Sequence, residues 1–247
     1  DWLQRLDLGG IRLPQVLAPG TPVAGLLPEL ADRTGLPPDL AICTGTTDST
    51  ASVLAAGVSD PGDGVTVLGS TLVIKLVSPA PVTAPEYGVY SHRIGALWLA
   101  GGASNSGGAV LRHYFTDEQL QRLSGQLRPG SPTGLDYYPL LRPGERFPVA
   151  NPHLAPRLQP RPAEDRMFLQ GLLEGIATIE VRGYRLLEEL GAPPLRRVIS
   201  IGGGARNEAW QIIRAGFLGV PVGSARHQEA AYGAALLARD AVVRSNR

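Results

Sequence analysis

Residues 197–210 read RVISIGGGARNEAW. Val198, Ile199 and Ile201 make a short apolar run of β-branched residues, the composition of a strand. Gly202, Gly203 and Gly204 stop it, and from Asn207 onward Trp210, Ile213 and Phe217 return at helical spacing until Gly219. Strand, glycine turn and helix together present backbone N–H groups at a helix start, where phosphate is favoured. The turn has more than one reading. A dinucleotide fingerprint requires a third glycine where Asn207 stands, and an acid after the next strand where Val222-Gly223-Ser224 offers none. A purely structural turn is the second reading. Asn207 and Trp210 on one helical face, an amide beside a flat ring, favour a nucleotide, although Trp210 alone fits a core position equally well.

Upstream, residues 65–76 (VTVLGSTLVIKL) predict two strands around Gly69-Ser70-Thr71. The amides and two hydroxyls of that turn suit phosphate oxygens, and an ordinary hairpin gives the same pattern. The turn cluster DPGDG at 60–64 predicts a domain boundary, with residues 1–62 on one side and 63–247 on the other. Residues 88–100 add strands, including LWLA at 97–100; these run into GGASNSGG at 101–108 and then a helix through Val110, Leu111, His113 and Tyr114. Phe168, Leu172, Ile176, Ile179, Leu186 and Leu190 keep helical spacing across 164–190, and Gly191-Ala192-Pro193-Pro194 ends that helix. Residues 124–163, rich in Pro, Gly and Arg, predict a long surface excursion carrying short strands. A last helix starts near Glu229 and continues through Leu236 and Leu237.

The stretch LAICTGTTDSTASVLAAG, 40–57, holds one carboxylate, Asp48, among small residues between a short apolar run and an alanine-rich helical pattern. Asp48 is either a cap of that helix or a base at a strand-to-helix turn, and the two roles are compatible. A short helix is predicted over Leu26–Arg33. The opening DWLQRLDLGG reads as a helix end (Trp2, Leu3, Leu6) running into Gly9 and Gly10; without a Met before it, the chain is expected to begin in mid-domain.

The 247 residues, 43% of them hydrophobic, suffice for a packed core. A net charge of +1 argues against a general electrostatic grip on nucleic acid or anionic membrane. The single cysteine, Cys43, excludes an internal disulfide and a thiolate metal cluster, and is expected to be a small core residue. His92, His113, His153 and His227 lack metal-ligand spacing, so no metal site is expected in the chain. No Walker loop and no G-x-S-x-G elbow occurs. No apolar stretch approaches a membrane span and the opening lacks the features of a signal peptide, which predicts a soluble, cytoplasmic protein.

Taken together, Gly45-Thr46-Thr47-Asp48, Gly69-Ser70-Thr71, Glu174-Gly175-Ile176-Ala177 and the 202–210 segment occur in an order that resembles the carboxy-terminal part of FGGY-type carbohydrate kinases. Thr46-Thr47-Asp48-Ser49-Thr50 most resembles the ribulose or xylulose kinase-like branch of cyanobacteria and plants. The resemblance implies an α/β, ribonuclease-H-like fold of the actin and hexokinase ATPase type: two domains with a cleft between them, sugar on the first and ATP mainly on the second. It implies that Asp48 is the catalytic base, that Gly69, Ser70 and Thr71 form the second phosphate loop, and that Gly203, Gly204, Asn207 and Trp210 bind adenosine with Trp210 beside the adenine. The helix of Glu229, Ala230, Ala231 and Gly233 matches the family's closing helix. ATP and Mg²⁺ are the implied cofactors, the ion held largely by phosphate oxygens and water. The implied partner is a small sugar, a ketopentose such as ribulose or xylulose, with no nucleic acid and no membrane; an oligomeric state is not implied. The family opens with a strand and an Asp-x-Gly-Thr phosphate loop that nothing here matches. Residues 1–62 are therefore expected to be the end of a truncated first domain, and 63–247 the ATP-binding domain. A truncated nucleotide-binding module without catalysis is the alternative reading.

Overall fold

Strand and helix periods alternate along the chain, and the computed structural model, which describes residues 2–6 and 10–245, resolves them into two compact units. One comprises residues 1–46 with 237–247, the other residues 47–236. The predicted helix end at Asp7–Gly9 lies outside the described residues.

In the first unit, α1 (Trp2–Arg5) is followed by β1 (Pro22–Gly25), α2 (Pro28–Thr34) and β2 (Ala41–Cys43). Pro28 starts α2, where its missing N–H would have no helical partner in any case. Gly35 ends α2 at φ 70°, its N–H donating to Ala31 O at 2.8 Å. β1 and β2 pair antiparallel from Pro22 and Cys43 to Gly25 and Ala41. A two-stranded ribbon encloses no core of its own. Cys43 is accordingly half-buried in an open sheet and not the core residue that the sequence predicts.

The second unit is built on a six-stranded sheet. Its elements in order are α3 (Asp48–Ala55), β3 (Asp63–Leu68), β4 (Leu72–Ser78), β5 (Tyr90–Ile94), β6 (Leu97–Ala103), α4 (Gly108–Tyr114), α5 (Asp117–Ser124), α6 (Asp165–Glu189), β7 (Arg197–Ile201), α7 (Glu208–Leu218) and β8 (Val222–Ser224); α8 (Ala230–Ser245) starts here and ends in the first unit. The strand order is β5-β6-β4-β3-β7-β8. β3, β7 and β8 run parallel to one another; β4, β5 and β6 extend the sheet as an antiparallel meander. Leu72, Ile74 and Leu76 alternate onto the face covered by α6, where they join Phe168, Leu172, Ile176 and Ile179. On the other face Val65, Val77, Leu99 and Ile201 pack with Val53 of α3 and with Val58. Burying Val53 this way ties α3 to the sheet. By this packing α3 belongs to the compact unit that begins at Thr47.

Between the sheet and its helices lies a buried ion pair. Arg214 of α7 donates from Nε and Nη2 to the two oxygens of Glu180 on α6, each at 2.6 Å, and both side chains are fully buried. Its Nη1 donates to Ser200 Oγ of β7 at 2.7 Å, and Thr66 Oγ1 of β3 donates to Glu180 at 2.5 Å. With each nitrogen of the guanidinium and each oxygen of the carboxylate engaged, the charges are tolerated; deleting either partner alone would cost about 3–5 kcal/mol.

Residues 124–163 correct the sequence prediction. Among the described residues this segment contains isolated bridges, Tyr138 with Arg157 and Glu145 with Asn151, in place of short strands. It is also not a surface excursion: Tyr137, Tyr138, Leu140 and Phe147 are buried in the main core. Glycines make the room, since a Cβ on Gly171 would meet the Tyr137 ring and one on Gly183 of α6 the Phe147 ring.

Candidate functional site

β3 and β7 lie side by side and parallel, with Val67 opposite Ile201, so they end at the same edge of the sheet. Each ends in a glycine turn, and the carboxyl edge of parallel strands is where α/β folds hold ligands. At this edge is a cavity of about 790 Å³, a volume suited to a small-molecule ligand. Gly69 and Thr71 line it from the first turn, Gly203, Gly204, Asn207 and Trp210 from the second. Leu127, Leu169, Leu173 and Ile176 supply an apolar wall. The cavity thus gathers six of the predicted residues. Ser70 is exposed and does not line it, and neither does Asp48.

The first turn is held by its carbonyls. Gly69 O accepts from Gly108 N at 2.9 Å and Ser70 O from Ala109 N at 3.0 Å, both at the start of α4. In a trans peptide the N–H points opposite to the C=O. The N–H groups of Ser70 and Thr71 therefore face away from α4, and among the described residues they donate to no turn or loop carbonyl. Gly107, at φ 145°, lets the two segments interlock: a Cβ there would stand 2.7 Å from the Thr71 backbone. Gly107 and Gly108 also line the cavity. The sequence shows them only as a run-up to a helix; two adjacent glycines directly before an apolar helical pattern were the available signal.

In the second turn, residues Gly203–Arg206 form one turn of 3₁₀ helix. Asn207 then caps α7, its Oδ1 accepting from Trp210 N at 3.0 Å, while its Nδ2 donates to Ser124 Oγ of α5 at 2.9 Å. Both ends of the amide are thus engaged within the protein, whereas the sequence suggests a free hydrogen-bonding amide. Trp210 is 3% exposed and its Nε1 donates to Leu173 O at 3.1 Å. The indole is therefore an immobile part of the wall. Its position fixes Gly204, where a Cβ would come within 2.6 Å of Trp210 Cζ3 and 2.8 Å of Leu68 Cβ. A Cβ on Gly203 would meet nothing within 4 Å.

Helices α4 and α5 add Arg112, Asp117, Gln121 and Ser124 to the cavity wall, none of them singled out by sequence. Arg112 and Asp117 pair at 3.2 Å with side chains 60% and 76% exposed, so the pair contributes little stability. A helix start here was legible: Thr116 and Gln119 make a capping box.

Asp48 occupies the first turn of α3, one residue after the N-cap position, which Thr47 holds. Its carboxylate is exposed and accepts from Ser49 N at 2.6 Å. This leaves acceptor capacity open to solvent. On β4, Lys75 is only 5% exposed; among the described residues its Nζ has no hydrogen-bond partner and lies 4.1 Å over the Tyr90 ring. Burial lowers its pKa to about 8, and burial together with the Lys75 charge lowers that of His92. Among the described residues no three His, Cys, Asp or Glu side chains are grouped to hold a metal ion, and no helix is long and apolar enough to cross a membrane.

Comparison with known proteins agrees with this architecture. The sequence profile of the FGGY family of carbohydrate kinases, C-terminal domain, matches residues 64–241. Gluconokinase of Bacillus subtilis (strain 168) is 26% identical over 209 residues, covering 74% of this chain and 39% of the relative. Xylulose kinase of Escherichia coli (strain K12) is 28% identical over 228 residues, covering 85% and 46%. The crystal structure of a xyloylose kinase from Brucella ovis superposes with a TM-score of 0.81 at 25% identity, over 94% of this chain and 49% of that one. The chain thus spans about half the length of these relatives, or less. Its fold is the ribonuclease-H-like, actin and hexokinase type of these sugar kinases. With the profile covering most of its length, the chain belongs to the FGGY family of carbohydrate kinases and carries that family's C-terminal domain.

Proposed function

We propose that this chain is the nucleotide-binding part of an ATP-dependent kinase of a small sugar, a ketopentose such as ribulose or xylulose. The observation that carries the reading is the convergence of two glycine turns, from the parallel strands β3 and β7, on one cavity with backbone N–H groups left without loop acceptors. In this reading the phosphates of ATP lie against Gly69, Ser70, Thr71, Gly203 and Gly204. The base rests against the apolar wall, with Trp210 as its buried backing and Asn207 holding α5 to α7. Phosphoryl transfer needs positioned donors around the transferring group and a base for the attacking hydroxyl, with little covalent work from the protein. The exposed carboxylate of Asp48 is that base, brought to the sugar by the complete protein. Residues 1–62 are then the end of a sugar-binding first domain, and 63–247 the ATP-binding domain. The ketopentose assignment draws on the sequence matches, in which xylulose kinase of Escherichia coli covers 85% of this chain and gluconokinase of Bacillus subtilis 74%. Mg²⁺ would travel with the nucleotide, held largely by phosphate oxygens and water, where it would neutralise charge.

The test is calorimetric titration of the 247-residue chain with ADP and Mg²⁺. One saturable site is expected, together with little or no turnover of ketoses by the chain alone. A well-folded chain that gives no binding heat would remove the basis of the proposal.

A further inference from the structure

We propose that Glu145 is a positioning residue: it aims the N–H groups of the 69–71 loop from a distance. The proposal rests on the reading of that loop as a phosphate site. Glu145 is 2% exposed, and among the described residues it belongs to no ion pair. Its charge is met by four hydrogen bonds instead. Oε1 accepts from the backbone N–H groups of Asn105 at 2.7 Å and Arg146 at 2.9 Å; Oε2 accepts from Ser104 Oγ at 2.6 Å and Tyr138 OH at 3.0 Å. A buried carboxylate held by neutral donors fixes those donors tightly, because each bond is charge-assisted.

The segment so fixed is the one that grips the loop. Ser104 Oγ passes the restraint on by accepting from Ser106 N at 3.0 Å. Ser104 N donates to Leu72 O at 2.9 Å and Ser106 O accepts from Leu72 N at 2.7 Å, so both sides of Leu72 are clamped. Two residues on, Gly108 and Ala109 hold the carbonyls of Gly69 and Ser70. Those carbonyls set the direction of the Ser70 and Thr71 N–H groups. Removing the carboxylate leaves the buried hydroxyls of Ser104 and Tyr138, and the part-buried N–H groups of Asn105 and Arg146, without this acceptor. The relief open to them is movement of 104–109, which carries the 69–70 carbonyls with it and turns the opposed N–H groups off target.

The experiment compares ADP with Mg²⁺ against adenosine, which has no phosphates, on the same chain. Glu145→Ala should weaken ADP binding about tenfold or more while adenosine affinity stays within about twofold. Glu145→Gln should restore ADP binding to within about threefold, since its oxygen can take the two backbone donors and its NH₂ can donate to the two hydroxyls, which rotate to accept. If Glu145→Ala does not fold, Ser104→Ala with Tyr138→Phe, which leaves the Asn105 and Arg146 donors satisfied, should show the same split at about threefold. Equal losses for ADP and adenosine, or no loss for either, would overturn the positioning role. A wild-type chain that binds adenosine as tightly as ADP would overturn the phosphate reading of the loop, and the role of Glu145 with it.

Discussion

Gly203 and Gly204 are neighbours in one turn, yet alanine at each should fail in a different way. At Gly204 the new methyl carbon would sit 2.6 Å from Trp210 Cζ3 and 2.8 Å from Leu68 Cβ. The indole cannot easily step aside, because its Nε1 is bound to Leu173 O at 3.1 Å within the core. Overpacking of this kind costs about 1–3 kcal/mol, and a displaced indole would add a buried N–H without a partner, about 1–3 kcal/mol more. At Gly203 the methyl meets nothing within 4 Å and the backbone is not at positive φ, so stability should change by no more than about 0.5 kcal/mol. That open space is where the proposed nucleotide approaches the turn. Gly203→Ala should therefore lose about tenfold in ADP affinity, about 1.4 kcal/mol, with an unchanged urea midpoint. Gly204→Ala should lower the midpoint first. Urea unfolding followed by circular dichroism and ADP calorimetry on the same preparations separate the two effects. A Gly203→Ala chain that binds ADP as wild type would refute the placement of phosphate at this turn; a Gly204→Ala chain of undiminished stability would refute the packing argument.

Three further outcomes are expected. In a protein extended to the full length of its relatives, Asp48→Asn should lower kcat by about 10² or more with little change in nucleotide affinity, measured by a coupled kinase assay; a loss under about threefold would move the base elsewhere. Arg214→Met should cost about 3–5 kcal/mol in urea unfolding, and adding Glu180→Met should recover most of it; a double variant no better than the single one would contradict the stranded-charge account. Lys75 keeps its proton to about pH 8 when folded and to about 10.4 when unfolded, so the unfolded state holds more protons between those values and stability rises with pH across them. Below about pH 8 the cost of the buried ammonium is complete, and Lys75→Met should raise stability at pH 7 by about 1–3 kcal/mol and flatten the alkaline rise, as followed by thermal unfolding at several pH values.

The elements legible in the sequence are those whose evidence is local. The hairpin β3–β4 showed as two β-branched runs about a glycine, α6 as a long 3.6-residue period with a Gly-Ala-Pro-Pro stop, and β7 with α7 as a strand, turn and helix. What escaped depends on contacts far apart along the chain. Pairing of β3 with β7 joins residues more than 130 positions apart, and no period announces it. Tyr137, Tyr138 and Phe147 are core residues on irregular, proline-rich backbone, so their burial has no repeat to betray it. Within the site, both glycine turns could be read, but the part played by Gly107 and Gly108 required seeing Gly69 O against Gly108 N. Trp210 showed the ambiguity of an isolated aromatic: it lines the cavity and is also core.

The ion pair of Glu180 and Arg214 also acts as a gauge of alignment. With Ser200 and Thr66 it joins β7 and β3 to α7 and α6, the elements that lead into or pack behind the two glycine turns. Sliding β7 by a single residue would turn Ser200 to the opposite face and leave a guanidinium nitrogen with no acceptor, whereas an oily contact in the same place would tolerate the slip. Polar groups at this depth thus keep the two turns level with each other. Descendants of this sequence could alter the outer surfaces of β7 and α7 freely, but Glu180 and Arg214 could be exchanged only as a couple, because every single step away from the pair passes through a chain with a charge stranded in its interior.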